Sequence, residues 1–187
     1  FPTQRNQSKE VIMKKALIYF TIIVGVAAII GGCRRSDHGA ATTDTSTCTG
    51  TSSGSGPTIG SVTLEEAAYL SSCFGGTKIK LEFKNNSSAQ YNQYSYSGDS
   101  CAGTASTEIT SCIESITVSS TTVTKQTYID GSLGSNVTGY DTTGSIDGTT
   151  TYMNFSADNA SVFYYNQSST QAKLDSNAYY FWKFTKQ

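Results

Sequence analysis

The amino-acid sequence predicts an all-β domain over residues 61–187, a single antiparallel β-barrel or sandwich of about seven to nine short strands. Two observations support this prediction. Charged and apolar residues alternate along parts of the chain with the two-residue period of a half-buried strand. Pairs of turn-forming residues separate these segments at short intervals. Both patterns are typical of antiparallel sheets and leave barrel and sandwich open.

The clearest predicted strand is residues 78–83. Its apolar side chains Ile79, Leu81 and Phe83 share one face, whereas Lys78, Lys80 and Glu82 share the other. Weaker candidate strands are residues 91–96, 114–119, 123–129, 150–155, 161–165 and 179–185. Strands this short bury one face each, so they must pack into a common core.

Turn signals lie between the candidate strands: Asn85-Asn86, Gly98-Asp99, Asp130-Gly131, Asp147-Gly148 and Asp158-Asn159. Asp147-Gly148 is flanked directly by β-forming residues, which predicts a tight hairpin with positive φ at both central positions.

One short helix is expected near residues 63–72. Thr63 and Glu66 have the spacing of a capping box and precede Ala67, Ala68 and Leu70. We expect this helix to lead into the first strand.

The predicted domain is long enough for one core of its own. It contains eleven Tyr, six Phe and Trp182, with no proline and no arginine. Seven Lys stand against eleven Asp and Glu, which argues against nucleic acid as a partner, because phosphate binding requires clustered basic residues.

The segment before this domain is predicted to contain an export signal. We expect residues 1–12 to be an untranslated leader, because Met13 is followed at once by Lys14 and Lys15 and then by an uncharged apolar stretch over residues 16–30. A cationic start, an apolar stretch and small residues are the parts of a secretory signal peptide, which we assign to residues 13–32.

Ile30-Gly31-Gly32-Cys33 resembles the lipobox of bacterial lipoproteins. The resemblance implies cleavage after Gly32, a diacylglyceryl group on the Cys33 thiol and acylation, for example with palmitate, of the new amino terminus. Such a protein is lipid-anchored in the cell envelope, facing the periplasm or in the outer membrane rather than in the inner one. The alternative is an uncleaved spanning helix, but residues 16–32 are at the short end of the roughly 17 to 25 residues required.

Residues 33–60 are rich in Ser, Thr, Gly and Ala, a composition that favours a disordered tether between anchor and domain. His38, the one histidine of the chain, lies in this tether beside Asp37. We interpret it as a solvated side chain and not as a ligand or base.

Besides Cys33 the chain has four cysteines, Cys48, Cys73, Cys101 and Cys112. An even number in an exported protein predicts two disulfides, for which three pairings exist. Zinc is the alternative, but no Cys-x-x-Cys pair occurs and the domain lacks histidine. We therefore expect no metal and no cofactor.

The segment from Cys73 through the strands at 78–83 and 91–96 to Cys101 resembles small lipocalin-like lipoproteins of bacteria. In these proteins a cysteine near the first strand bonds to one after the next hairpin. The resemblance implies a Cys73–Cys101 bond, which leaves Cys48 to pair with Cys112. It also implies a barrel that binds a small ligand.

Catalysis is not expected. Without a histidine in the domain, Ser-His and Cys-His pairs are excluded. A glycosidase-like pair of carboxylates is a remote alternative. Its candidates are Glu65, Glu66, Glu82, Glu108, Glu114, Asp141 and Asp147. Nothing in their spacing selects two of them.

Five aromatic residues are candidates for ligand binding: Tyr94, Tyr96, Tyr180, Trp182 and Phe184. Core packing is the simpler explanation for the last three, which belong to the run 179–184. Two functions remain open. A small-ligand binding protein requires an internal cavity lined by Tyr and Phe, whereas a protein that holds another envelope component requires a filled barrel with rings or a sheet edge outside.

Overall fold

The structure is a computed structural model that describes Cys48 and residues 51–187. Most of this part of the chain is strand. The elements are β1 (Thr58–Ile59), β2 (Val62–Thr63), β3 (Ala68–Ser71), β4 (Thr77–Asn85), β5 (Ser88–Ser95), β6 (Thr107–Ile129), β7 (Ser132–Ile146), β8 (Thr149–Asn159), β9 (Val162–Ser168), α1 (Gln171–Ser176), β10 (Tyr179–Tyr180) and β11 (Trp182–Lys186).

The larger sheet closes into an eight-stranded antiparallel barrel. Each of β3 to β8 pairs with the next strand in the chain, β9 pairs with β11, and β11 pairs with β3. The last pairing closes the barrel, with Ser71 opposite Phe184. The prediction of an all-β domain is therefore confirmed, and of its two forms the structure has the barrel.

Two features depart from the regular barrel pattern, the added strand β10 and the extension of the hairpin of β6 and β7. β10 adds to β6 in the parallel direction, with Tyr179 opposite Gln126. β6 and β7 form the longest hairpin, which continues beyond the residues that pair with β5 and β8. Near its tip, the ring of Tyr128 contacts the ring of Phe74 at a centroid distance of 6.3 Å.

The strand predictions differ from the structure in three places. The candidate at 179–185 is divided into β10 and β11, which pair with different strands. The candidates at 114–119 and 123–129 form one strand, β6, whose register shifts near Ser115, a residue with a φ of 54°. β7 has too little apolar alternation to be recognised in the sequence. It is held in place by pairing with neighbours on both sides.

The hairpin predicted at Asp147-Gly148 is confirmed. Ile146 and Thr149 are opposite each other, and the two residues between them have φ angles of 49° and 74°. Positive φ at both central positions matches the twist of the flanking strands.

The helix predicted near residues 63–72 is wrong. Residues 63–72 contain the end of β2 and the whole of β3 instead. Tyr69 points into the core with no exposed surface, and this tertiary packing overrides the local capping signal. The Glu66 carboxylate accepts hydrogen bonds from Ser52 Oγ, Ser53 N and Gly54 N at 2.9–3.1 Å. The short helix is α1, where Thr170 Oγ1 accepts a hydrogen bond from the backbone of Lys173.

The folded domain begins before residue 61, the predicted boundary. Residues of the segment assigned to the tether contact the domain. β1 pairs with β2, Gly56 N donates to Leu64 O, and Ile59 is 2 % exposed. Backbone hydrogen bonds and one apolar anchor order a segment that composition alone assigns to a linker. The predicted leader, the signal peptide and Cys33 lie outside the described residues.

Both disulfide pairings predicted above are present in the structure. Cys73 bonds to Cys101 and Cys48 to Cys112, with Cα–Cα distances of 5.9 and 5.2 Å. The first links the connections at one end of the barrel, and the second attaches the start of the described chain to β6. None of the helices in the described part of the chain is long and apolar enough to cross a membrane.

Candidate functional site

The structure divides the five candidate aromatic residues among three places. Trp182 and Phe184 face the barrel interior and are 5 % and 0 % exposed. Tyr180 is fully buried outside the wall, against Gly139 and Tyr164. Tyr94 and Tyr96 are half-buried and share one groove on the outer surface. The five residues therefore do not form one site.

The barrel interior is filled by aromatic rings. Phe163 stacks on Phe184 with centroids 4.7 Å apart and planes at 4°, and Phe155 meets Tyr165 edge-on at 5.1 Å. The ring centroid of Trp182 lies 6.4 Å from that of Tyr165 in the same cluster. Rings at these distances are in direct packing contact. Side chains of the domain itself therefore fill the described interior.

The outer groove has a cavity volume of about 450 Å³. It is lined by Ala68, Leu70, Lys80, Tyr94, Tyr96 and Gln187. Strand alternation explains its composition, because Ile79 and Leu81 turn inward and leave Lys80 outside. The register then places Lys78 opposite Tyr94.

Asn92 lies beside this groove, opposite Lys80 in the strand register. Its side chain is 6 % exposed, and its Nδ2 donates to Glu108 Oε1 at 3.1 Å and to Thr110 Oγ1 at 2.8 Å. Among the described residues its Oδ1 has no hydrogen-bond partner. Sequence reasoning missed Asn92, since an asparagine in a strand gives no signal of its own.

Charged side chains of both signs lie beside the groove. Lys80 Nζ lies 3.3 Å from Glu82 Oε2, and Lys84 also bonds to that carboxylate. The Lys84 hydrogen bond, followed by that of Lys80, holds the pKa of Glu82 below its usual value against the opposing effect of burial. Burial and the nearby Glu108 raise the pKa of the Tyr94 hydroxyl, which is therefore a neutral donor at physiological pH.

A second polar cluster lies on the outer surface of the wall near α1. Asn154 Nδ2 donates to Asp141 Oδ1 at 2.7 Å, and Lys125 Nζ donates to Leu174 O at 2.6 Å. Asn154 is fully buried and Lys125 is 6 % exposed. Burial lowers the pKa of Lys125, while Asp175 and Asp141 oppose that shift. These contacts attach α1 to the barrel.

The seven candidate carboxylates of the sequence are spread over the domain. Glu65 pairs with Lys186, Glu66 binds the segment at 52–54, and Asp141 belongs to the cluster near α1. Within the described residues, no group of three or more His, Cys, Asp or Glu side chains is arranged to hold a metal ion.

Comparisons of this chain with protein-family models, with curated proteins and with solved structures find no match.

Proposed function

We propose that this protein is a lipoprotein of the bacterial cell envelope, anchored through Cys33, whose barrel is non-catalytic and holds another envelope component on its outer surface. One observation carries the choice of the outer surface. The predicted interior rings, Trp182 and Phe184, are packed against their neighbours, whereas Tyr94 and Tyr96 line a groove open to solvent.

The lipobox at residues 30–33 supports the anchor. Two or three acyl chains hold a protein firmly on a bilayer, whereas one chain binds only marginally. Because Cys48 is bonded to Cys112, the linker between the lipidated residue and the first covalent link to the domain comprises residues 34–47.

Membrane fractionation and intact-mass measurement test the anchor. Full-length protein expressed in a bacterium is expected in the membrane fraction, with a mass that corresponds to a chain starting at Cys33 plus its acyl groups. The Cys33→Ser variant is expected to lack the lipid. A wild-type protein that retains residues 13–32, or that is soluble with a free Cys33 thiol, contradicts the anchor.

The eight-stranded antiparallel barrel is also the form expected of a lipocalin-like ligand carrier. Titration with cis-parinaric acid, a fluorescent apolar ligand, separates the two functions. We expect no saturable binding, because rings fill the described interior. Saturable binding with energy transfer from Trp182 supports the internal carrier and contradicts the outer-surface proposal.

Site-specific photo-crosslinking in cells tests the outer surface directly. A photoreactive amino acid at position 94 or 96 is expected to give a crosslinked envelope product. The matched control is position 152, a half-buried tyrosine of β8 on the outer face, which is expected to give none. Equal products from all three positions contradict a defined outer site.

A further inference from the structure

We infer that a pocket at one end of the barrel binds a small organic cation, one that carries its positive charge on an alkylated nitrogen. The pocket has a volume of about 420 Å³ and is lined by Cys73, Phe74, Gly75, Asp99, Ser100, Tyr128, Asp130 and Gly131. It shares no lining residue with the outer groove, so the inference goes beyond the proposed function. Three properties of the pocket support it: its fixed walls, its unpaired carboxylates and its two aromatic rings.

The walls of the pocket are three connections between strands, each held in place by the fold. The turn that follows Cys73 is closed by two hydrogen bonds between the backbones of Phe74 and Thr77, at 2.9 and 3.0 Å. The disulfide from Cys73 to Cys101 joins this turn to the second connection. The third is the tip of the hairpin of β6 and β7, at residues 130–131. Walls that are ordered before binding lower the entropy cost when a ligand enters.

The charged side chains that line the pocket are both acidic, Asp99 and Asp130. They come from two different connections, and both are exposed. None of the ion pairs formed by the described residues includes either carboxylate. Two negative charges that no lysine compensates attract a cation to the pocket and repel an anion.

Two half-buried rings, Phe74 and Tyr128, form the apolar part of the pocket. Their centroids are 6.3 Å apart and their planes meet at 79°, so the rings present surfaces in two directions. Phe74 also packs against Phe181 at a centroid distance of 4.8 Å, and Tyr128 packs against Tyr179 at 5.9 Å. The face of an aromatic ring attracts a cation that lies within about 6 Å of its centroid.

Rings and carboxylates together distinguish an organic cation from the other ligand classes. A metal ion such as calcium prefers about six to eight oxygen ligands and gains little from a ring. A neutral apolar ligand gains from the rings but not from the carboxylates. An alkylated ammonium group gains from both, because it combines a positive charge with an apolar surface. The pocket volume lies in the range of roughly 300–1,000 Å³ found for small-molecule sites.

NMR titration of the full chain with choline, in micelles of a non-ionic detergent, tests the inference. The matched control ligand is dimethylbutanol, the uncharged isostere in which a carbon atom replaces the choline nitrogen. We expect saturable binding of choline and an upfield shift of its methyl protons, because these contact the rings. The isostere should bind at least about fivefold more weakly. Sodium chloride should weaken choline binding, since both carboxylates are exposed and are screened by salt.

Variants of the pocket separate charge from ring contact. Asp99→Asn and Asp130→Asn each remove one charge and should weaken choline binding roughly two- to fivefold. Asparagine tolerates the positive φ of 51° at position 130, so the turn should persist. Tyr128→Leu should weaken binding by a similar factor and reduce the upfield shift, whereas Tyr128→Phe should preserve both. Asp158→Asn, which removes an exposed carboxylate outside the pocket, is the matched control and should leave binding unchanged.

Four results overturn the inference: no saturable binding of choline, equal binding of its isostere, unchanged binding in the double variant Asp99→Asn/Asp130→Asn, or loss of choline binding in calcium chloride but not in sodium chloride of the same ionic strength. The last result would assign the pocket to a metal ion. The comparison of choline with its isostere uses the wild-type protein, so it does not depend on the folding of any variant. Crosslinking at positions 94 and 96 tests the outer groove separately, and neither experiment decides the other.

Discussion

The inner and outer faces of the barrel wall use the same residue types for different purposes, as Tyr91 and Tyr94 show. Tyr91 points inward, is 8 % exposed, and donates its hydroxyl to Gln93 Oε1 at 2.9 Å. Tyr94, three residues later, points outward into the groove. An odd spacing along a strand reverses the face. The role of a tyrosine in this domain is therefore set by its register and not by the aromatic content of the sequence.

The two faces also differ in what stabilises them. Inside, apolar rings pack against one another, and burial is the dominant stabilising contribution. Outside, side chains form hydrogen bonds and ion pairs that are partly open to water, and each contributes less. Substitutions on the inner face should therefore cost more stability than those on the outer face.

The largest effect is expected at Phe163, the centre of the interior ring cluster. Its ring lies 4.7 Å from Phe184 and 5.2 Å from Tyr69, and it has no exposed surface. Phe163→Ala should lower the free energy of unfolding by about 3–5 kcal/mol, because it removes buried surface and leaves a cavity. Urea denaturation measures the change.

Phe163→Leu is the matched control, since it keeps most of the apolar volume and should cost clearly less than alanine. If Phe163→Ala cost no more than an exposed substitution, the interior would have to be loosely packed. That result would reopen the internal ligand site.

An intermediate effect is expected at Asp141, in the covered part of the outer face. The fully buried Asn154 donates Nδ2 to this carboxylate at 2.7 Å. Asp141→Ala removes the shorter of the two hydrogen bonds of that amide and leaves it only Met153 O at 3.2 Å, so it should cost about 1–3 kcal/mol in unfolding free energy. Asp141→Asn keeps an acceptor oxygen and should cost less.

Asp158→Ala is the control for this prediction, because Asp158 is an exposed carboxylate near the end of β8. Equal costs for Asp141→Ala and Asp158→Ala would show that the cluster near α1 contributes nothing to stability. The outer face would then be uniform, and the distinction between its covered and open parts would be lost.

The parts of the fold that were predictable from the sequence are those fixed by local chemistry. Alternation from Lys78 to Phe83 predicts β4, and Asp147-Gly148 predicts a hairpin that requires positive φ. β7 was not predictable, because its residues lack apolar alternation and it is held in place by pairing with β6 and β8. The capping signal at Thr63 and Glu66 misled for another reason, since packing of Tyr69 against residues distant in sequence outweighs it.

The candidate site was predictable in part. Tyr94 and Tyr96 were predicted as candidates because they are aromatic. The sequence does not show that Tyr94 and Tyr96 point outward whereas Trp182 and Phe184 point inward. The face of a strand depends on its register against neighbours. Leu70 and Lys80 are opposite each other in the pairing of β3 with β4, and closure of the barrel by β11 brings Gln187 beside them.

A small effect on stability is expected for Tyr94→Ala, in the open part of the outer face. Its ring is half-buried, so its removal should change the unfolding free energy by no more than about 1 kcal/mol. The inward-facing Tyr91→Ala on the same strand should cost several times more. Urea denaturation of the two variants compares the faces within one strand. Equal costs would contradict the assignment of Tyr94 to an exposed binding surface.

The smallest effect is expected at the ion pair of Glu82 with Lys84, also on the open outer face. The Lys84 hydrogen bond is the main cause that holds the pKa of Glu82 below 4.5, so Lys84→Met should raise this pKa towards its usual value. Because the folded-state pKa is the lower one, the pair stabilises the protein above the unfolded-state pKa and loses that effect as pH falls through the folded-state pKa.

The stability difference between wild type and Lys84→Met should therefore be greatest near neutral pH, at no more than about 1 kcal/mol, and should shrink in acid. An NMR titration of the Glu82 carboxyl carbon measures the pKa in both proteins. Lys80→Met should shift it less, since the Lys80 hydrogen bond contributes less than that of Lys84. An unchanged pKa in Lys84→Met would mean that water, and not the lysine, solvates this carboxylate, and the charge balance beside the groove would have to be reassigned.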